Sequence, residues 1–287
     1  MEVFVQLTLN GLIAGSLYAM LALGFNLLYG TVKFFDVAYG TVGLVAAYTI
    51  LAFGRTYDLP IVLVGLVGVA TAGLLNYLIY ILVYKPLRTR KASSMVMLVA
   101  SFGVFSVLQA LIAMVFSSQF FSLRNSESVS MFKFAEGSVT DVQVITILFS
   151  LVVPLVLWLL LSKTKFGRAV RAVGDNEEVA NIVGINSSKI VGWTFFLSAV
   201  LAGLAVTLVG LDRGVEPYMG LALLLKGIVA SIVGGIGYVW GGVLGGFVLG
   251  LVENFGSWYL PSEWKDTIAF VVLVIFLLFR PRGILKR

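Results

Sequence analysis

Cysteine and histidine are both missing from the 287 residues, and charged side chains make up only 12% of them. The first absence excludes disulfides and thiolate metal sites. The second removes the commonest general base and the commonest zinc ligand. No glycine is followed by lysine anywhere, so the phosphate loop Gly-x-x-x-x-Gly-Lys-Ser/Thr cannot occur. Carboxylates such as Glu253 stand alone, with no acid and base paired at helical spacing within one segment. Catalysis, and nucleotide hydrolysis in particular, is therefore not expected of this chain.

What is abundant is apolar surface. Hydrophobic residues make up 60% of the sequence and mean hydropathy is +1.03, whereas a soluble domain carries about 25% charged residues. The expected fold is all-α, a polytopic integral membrane protein in which 31 glycines serve close helix packing in lipid. A net charge of +6 then reads as membrane topology, not as a nucleic-acid surface.

A spanning helix needs about 20 mainly apolar residues. Nine apolar segments occur, near 7–29, 37–53, 60–84, 93–117, 143–162, 190–210, 221–237, 241–256 and 266–279. The second, seventh, eighth and ninth are short, so eight or nine spanning or re-entrant segments are expected. The first segment is too long for a cleaved signal and is expected to be retained. With the N-terminus outside, the inner loops hold Lys33, then Lys85, Arg88, Arg90 and Lys91, then Lys163, Lys165, Arg168, Arg171 and Lys189, and last Arg280, Arg282, Lys286 and Arg287. That is 14 of the 20 basic residues, which predicts a cytoplasmic C-terminus. The longest outer loop, 117–143, is rich in serine, with Asn125, Glu127 and Glu136, and is expected to gain order only from its neighbours.

Two places interrupt simple helices. Residues 29–40 bring Lys33, Asp36, Tyr39 and Gly40 between two apolar runs, and residues 225–242 combine Lys226 with glycines that include Gly234, Gly235 and Gly237. Short, glycine-interrupted segments in both halves point to broken helices around a translocation path, sometimes related as inverted repeats. Asp36 is read either as a cap for the second helix or as a residue of the path. An ionised lysine deep in lipid costs at least about 2.5 kcal/mol. Lys226 must therefore pair with an acid such as Asp212, Glu216 or Glu253, face the path, or snorkel to the interface. The series Gly241, Gly245 and Gly242, Gly246, Gly250 offers small faces for close helix approach.

The polar stretch 163–190 is the longest with helix signals. Gly174 is expected to break a helix begun at Lys165, and Asp175 with Glu178 has the capping-box spacing for a second helix. Gly184 suits that helix's end, and Ser187 the start of the next spanning helix. Ala169, Val173, Asn176, Ala180 and Val183 recur at helical spacing and would share one face of small residues. The stretch reads either as a docking element for a partner or as amphipathic helices resting on the bilayer.

Several motifs carry a family resemblance. Phe166-Gly-Arg-Ala-Val-Arg-Ala-Val, then Asn176, Ala180 and Gly184-Ile-Asn186, resembles the cytoplasmic coupling loop of the branched-chain amino acid permease family of bacterial ABC importers. Asn10-Gly-Leu, Gly15-Ser-Leu-Tyr-Ala, Lys85-Pro-Leu-Arg88, Ser101-Phe-Gly, Leu225-Lys-Gly, Gly234-Gly-Ile-Gly and Phe279-Arg-Pro-Arg-Gly283 extend the likeness along nearly the whole chain. The resemblance implies one permease domain over 1–287 in a bacterial or archaeal inner membrane, carrying branched-chain or other hydrophobic amino acids. It implies a coupling loop at 163–190 in which Gly167, Arg168, Ala169, Arg171, Ala172, Asn176, Ala180 and Gly184 meet an ATPase. The implied partners are a second homologous permease, two ATPase subunits that hold ATP and Mg, and an external binding protein; no cofactor is bound by this chain. One departure is visible: Asp36-Val-Ala-Tyr-Gly40 stands where the family usually has Asn-Phe-Ala-His-Gly. It leaves a urea or short-amide permease open as a second substrate class. A stand-alone secondary transporter or channel is the reading from a different class, and such a carrier would have no use for the docking stretch.

Overall fold

The computed structural model describes residues 2–56, 60–123, 130–134, 137–280 and 283–285. Among these the helices are α1 Glu2–Val32, α2 Ala38–Thr56, α3 Ile61–Ile79, α4 Lys85–Thr89, α5 Ser94–Phe116, α6 Asp141–Lys163, α7 Lys165–Asp175, α8 Glu177–Ile182, α9 Ser187–Arg213, α10 Met219–Gly234, α11 Val239–Tyr259 and α12 Lys265–Phe279. α3 runs into α4 through a π-helical turn, Tyr80–Tyr84, and a 3₁₀ turn, Ser262–Trp264, precedes α12. Among the described residues, six helical stretches are long and apolar enough to cross a membrane: Val3–Val32, Ile61–Thr89, Ser94–Phe116, Asp141–Lys163, Ser187–Arg213 and Val239–Tyr259. α2 and α10 are shorter apolar helices. The expected polytopic helical fold is therefore observed, and the eighth segment is longer than its apolar run because α11 has 21 residues. Its polar residues Glu253 and Asn254 are buried, which lets the helix continue through them.

Not everything is helical. Within the 117–143 loop, β1 (Met131–Phe134) and β2 (Gly137–Thr140) pair antiparallel, with Phe132 opposite Val139. The Gln6 side chain clamps the hairpin: its amide nitrogen donates to the Ser138 carbonyl and its oxygen accepts from Ser138 N–H at 3.0 Å. Asn125, Glu127 and Glu136 lie outside the described residues, as do Arg282, Lys286 and Arg287 of the basic tail.

The chain divides into two compact units. The first comprises Met1–Asn26, Arg124–Val156 and Leu225–Arg287; the second comprises Leu27–Leu123 and Leu157–Leu224. In the first unit, Ala22, Val229, Ala230, Val233, Leu249 and Ala269 form a core cluster from α1, α10, α11 and α12. Glycine makes the close approach possible: a Cβ on Gly245 would strike the Ala230 carbonyl, so α10 and α11 pack backbone to backbone. In the second unit α2, α3 and α9 pack on one another, with Gly203 against Ala46 and Ala72. Polar side chains there are locked to backbone, as where the Asn76 amide donates to the Phe195 carbonyl at 2.9 Å. α5 and α6 keep large apolar residues such as Met114, Val115, Leu151 and Val156 exposed, a surface suited to lipid.

Candidate functional site

The polar stretch folds as a helix, a one-residue hinge and a second helix. Thr164 caps α7 by accepting from Gly167 N–H at 3.1 Å, and Gly167 lies hard against the Leu161 backbone where no side chain fits. The Arg171 guanidinium donates to the Leu161 carbonyl. α7 buries Gly167, Val170 and Val173. The expected break at Gly174 is not observed: α7 continues to Asp175, and Gly174 is a packing glycine whose Cβ would sit 2.6 Å from the Gly30 carbonyl. The hinge is Asn176, extended at φ −156°, whose side chain accepts from Val179 N–H at 3.1 Å and so caps α8 in place of Asp175. Asparagine wins because its oxygen reaches the exposed N–H groups of the helix that follows it.

Gly184 ends α8 in the left-handed region at φ +87°. Ile185 N–H donates to the Ala180 carbonyl and Gly184 N–H to the Asn181 carbonyl, the paired bonds of a Schellman turn. The next helix is capped by Asn186, not Ser187: Asn186 accepts from Lys189 N–H at 3.0 Å, and Ser187 is already helical.

The five small residues do not share one outward face. Val173 and Ala180 are buried, whereas Asn176 and Val183 are exposed and Ala169 is half-buried. The change of direction at Asn176 breaks the helical register on which that face depended. Arg168 is exposed, as is Arg171 despite its bond to the Leu161 carbonyl, Ala172 is half-buried, and the exposed apolar side chains are Val179, Ile182 and Val183. Glu177 pairs with Arg88 of α4 at 2.5 Å, a contact that crosses 89 residues of sequence.

At the first break α1 ends as Lys33 turns left-handed at φ +58°. Asp36 caps α2: its Oδ1 accepts from Ala38 N–H at 3.0 Å and also from the Tyr84 hydroxyl at 2.8 Å. Its Oδ2 is buried with no hydrogen-bond partner among the described residues. Val37 N–H donates to Ser101 Oγ, and Tyr84 stacks on Phe195 with ring centroids 5.0 Å apart. Tyr39 is fully buried, and Gly40 packs on the Gly220 carbonyl so closely that only glycine fits.

The second break lies in the other unit. α10 stops at Gly234, Gly235 and Gly237 take φ of +117° and +84°, and α11 starts at Val239. Asn26 bridges the turn, accepting from Gly237 N–H and donating to the Tyr238 carbonyl. The chain near its C-terminus returns to satisfy the end of α10, with Ile284 and Leu285 N–H donating to the carbonyls of Val233 and Gly234. Lys226 is buried and ion-paired. Its Nζ lies 2.5 Å from Glu253 and 2.9 Å from Asp266, and the Tyr18 hydroxyl donates to the other Glu253 oxygen at 2.8 Å. Of the three acids considered from sequence, Glu253 is the partner; Asp212 pairs with Arg213 and Glu216 is exposed.

Sequence reading missed Tyr84, Asn26 and Asp266, whereas Arg88, Ser101 and Tyr18 carried a signal only as members of motifs.

Apolar spanning helices, two breaks built on glycine and capped by buried polar groups, and a pair of short polar helices define a membrane permease. Residues 7–277 match the model of the family described as branched-chain amino acid transport system, permease component, and the chain belongs to that family. It is 31% identical to the high-affinity branched-chain amino acid transport system permease protein BraD of Pseudomonas aeruginosa, over 99% of this chain and 96% of that protein. Identity to the corresponding permease protein LivH of Escherichia coli K12 is 29% over the same shares. Among solved structures, PsaBC from Streptococcus pneumoniae in complex with Fab shares the fold, with a TM-score of 0.53 at 14% identity over 95% of this chain and 91% of that one.

Proposed function

We propose that this chain is the permease subunit of an ATP-driven importer of branched-chain or related hydrophobic amino acids. The observation that carries this reading is the full-length likeness to permeases named for that transport. α7 and α8 support the energy source. They hold a compact, doubly capped geometry, yet leave Val179, Ile182 and Val183 exposed, and Ile182 is 82% exposed. Such residues on a polar stretch fit the groove of a separate ATPase, because this chain has no phosphate loop of its own. ATP and Mg would reside on two ATPase subunits, and a second, homologous permease and an external binding protein complete the assembly. The N-terminus lies outside and the C-terminus inside, which puts α7 and α8 on the ATPase side. The path is apolar, with backbone groups at the two breaks meeting the zwitterion.

Uptake of labelled leucine, isoleucine and valine by cells expressing the complete importer tests the substrate. Competition by unlabelled branched-chain amino acids but not by urea is expected; the reverse order would overturn the substrate assignment.

A further inference from the structure

We propose that the Arg88–Glu177 ion pair and the Tyr84–Asp36 hydrogen bond form one mechanical link. It carries movement of α7 and α8 to the break between α1 and α2, with the π-helical turn Tyr80–Tyr84 as its yielding joint. The inference rests on the reading of α7 and α8 as ATPase-docking helices.

Three observations converge on this link. The first is continuity. Glu177 opens α8 and holds Arg88 at 2.5 Å, with the Arg88 side chain only 16% exposed. Arg88 lies in α4, which continues the π turn without leaving helical geometry: Lys85 has φ −62° and ψ −47°. The turn ends at Tyr84, whose hydroxyl reaches Asp36 at 2.8 Å. A displacement of α8 therefore reaches the break through one short helical rod.

The second is the joint itself. A π turn holds an extra residue within a helix, and such turns are frequent at functional sites. Shifting it by one residue re-aims the side chains beyond it by about 100° without unwinding the helix. Tyr84 is the last residue of this turn, so that shift draws its hydroxyl off Asp36.

The third is the receiving end. Asp36 is held through Oδ1, while the buried Oδ2 has no partner among the described residues. A carboxylate satisfied on one side only can exchange one donor for another, whereas a fully bonded cap would resist. The other flank of the same break is touched as well, since Gly174 of α7 bears on the Gly30 carbonyl in the last turn of α1. Between the flanks, Lys33 is held at φ +58°, an uncommon conformation for a residue with a side chain.

The test uses the complete importer in membrane vesicles, with ATP-driven uptake, ATP hydrolysis and ATPase retained on the tagged permease read together. Arg88→Glu and Glu177→Arg are each expected to lower uptake about tenfold while the ATPase stays bound and still hydrolyses ATP. Combining them, which restores opposite charges in exchanged places, is expected to return most of the uptake. Tyr84→Phe keeps the ring and removes the hydroxyl, and the same uncoupled pattern is expected. Unchanged uptake in the single charge variants, or a loss that the exchange does not repair, overturns the link. So does wild-type uptake in Tyr84→Phe. Loss of the bound ATPase in the single variants also overturns it, because the pair then belongs to the dock. Uptake by the wild type without ATP would instead refute the docking reading, a separate result.

Discussion

Replacing Lys226 by methionine removes the hub of a buried charge cluster and leaves most of its volume in place. Glu253 is 1% exposed and loses a cation at 2.5 Å, keeping the Tyr18 hydroxyl on its other oxygen. Breaking one side of a buried pair costs about 3–5 kcal/mol, because the remaining charge is stranded. The Asp266 arm adds little, since that side chain is 69% exposed and solvent screens it. At roughly 2–4 °C per kcal/mol for a chain of this size, the melting temperature in detergent should fall by about 6–20 °C. The five tryptophans provide a fluorescence readout. Adding Glu253→Leu removes the stranded charge, and the double variant is expected to regain most of the loss, since an apolar pair often replaces a buried ion pair at little cost. A single variant within about 1 kcal/mol of the wild type, or a double variant less stable than the single, would refute the reasoning.

Further outcomes follow from the same geometry. Ile182→Glu should abolish ATP-driven uptake with an unchanged melting temperature, because Ile182 is exposed; Ala180→Arg should lower the melting temperature as well, because Ala180 is 2% exposed. Gly184→Ala should cost about 1 kcal/mol in thermal unfolding, since alanine opposes the left-handed φ that ends α8. Gly245→Val should prevent a monodisperse peak in size-exclusion chromatography, because no side chain fits between α11 and the Ala230 carbonyl.

The helices were legible because lipid demands long apolar runs, and α1, α3, α5, α6 and α9 follow them within a few residues. The two breaks were legible for the same reason: charge and glycine there interrupt a pattern that is otherwise uniform. Gly184 could be placed because a left-handed helix end strongly selects glycine. The neighbouring caps could not. Asp175, Asn176, Asn186 and Ser187 are all good cap residues, and only the backbone path decides among them. Gly174 misled because a glycine required by packing against Gly30 looks, in sequence, like one required by a turn. Contacts such as Tyr84 with Asp36, 48 residues apart, leave no local trace, and nothing in Tyr80–Tyr84 announces a π turn. The hairpin β1–β2 was missed, and the Gln6 contact that clamps it lies more than a hundred residues away in sequence.

The central claim is that a separate ATPase drives this permease. Purified importer in proteoliposomes, with binding protein added to the substrate side, measures it most directly. Accumulation of labelled leucine should require ATP and the binding protein together, and should stop when the ATPase subunits are left out. Leucine accumulation by the permease chains alone, driven by an imposed ion gradient, would contradict the account.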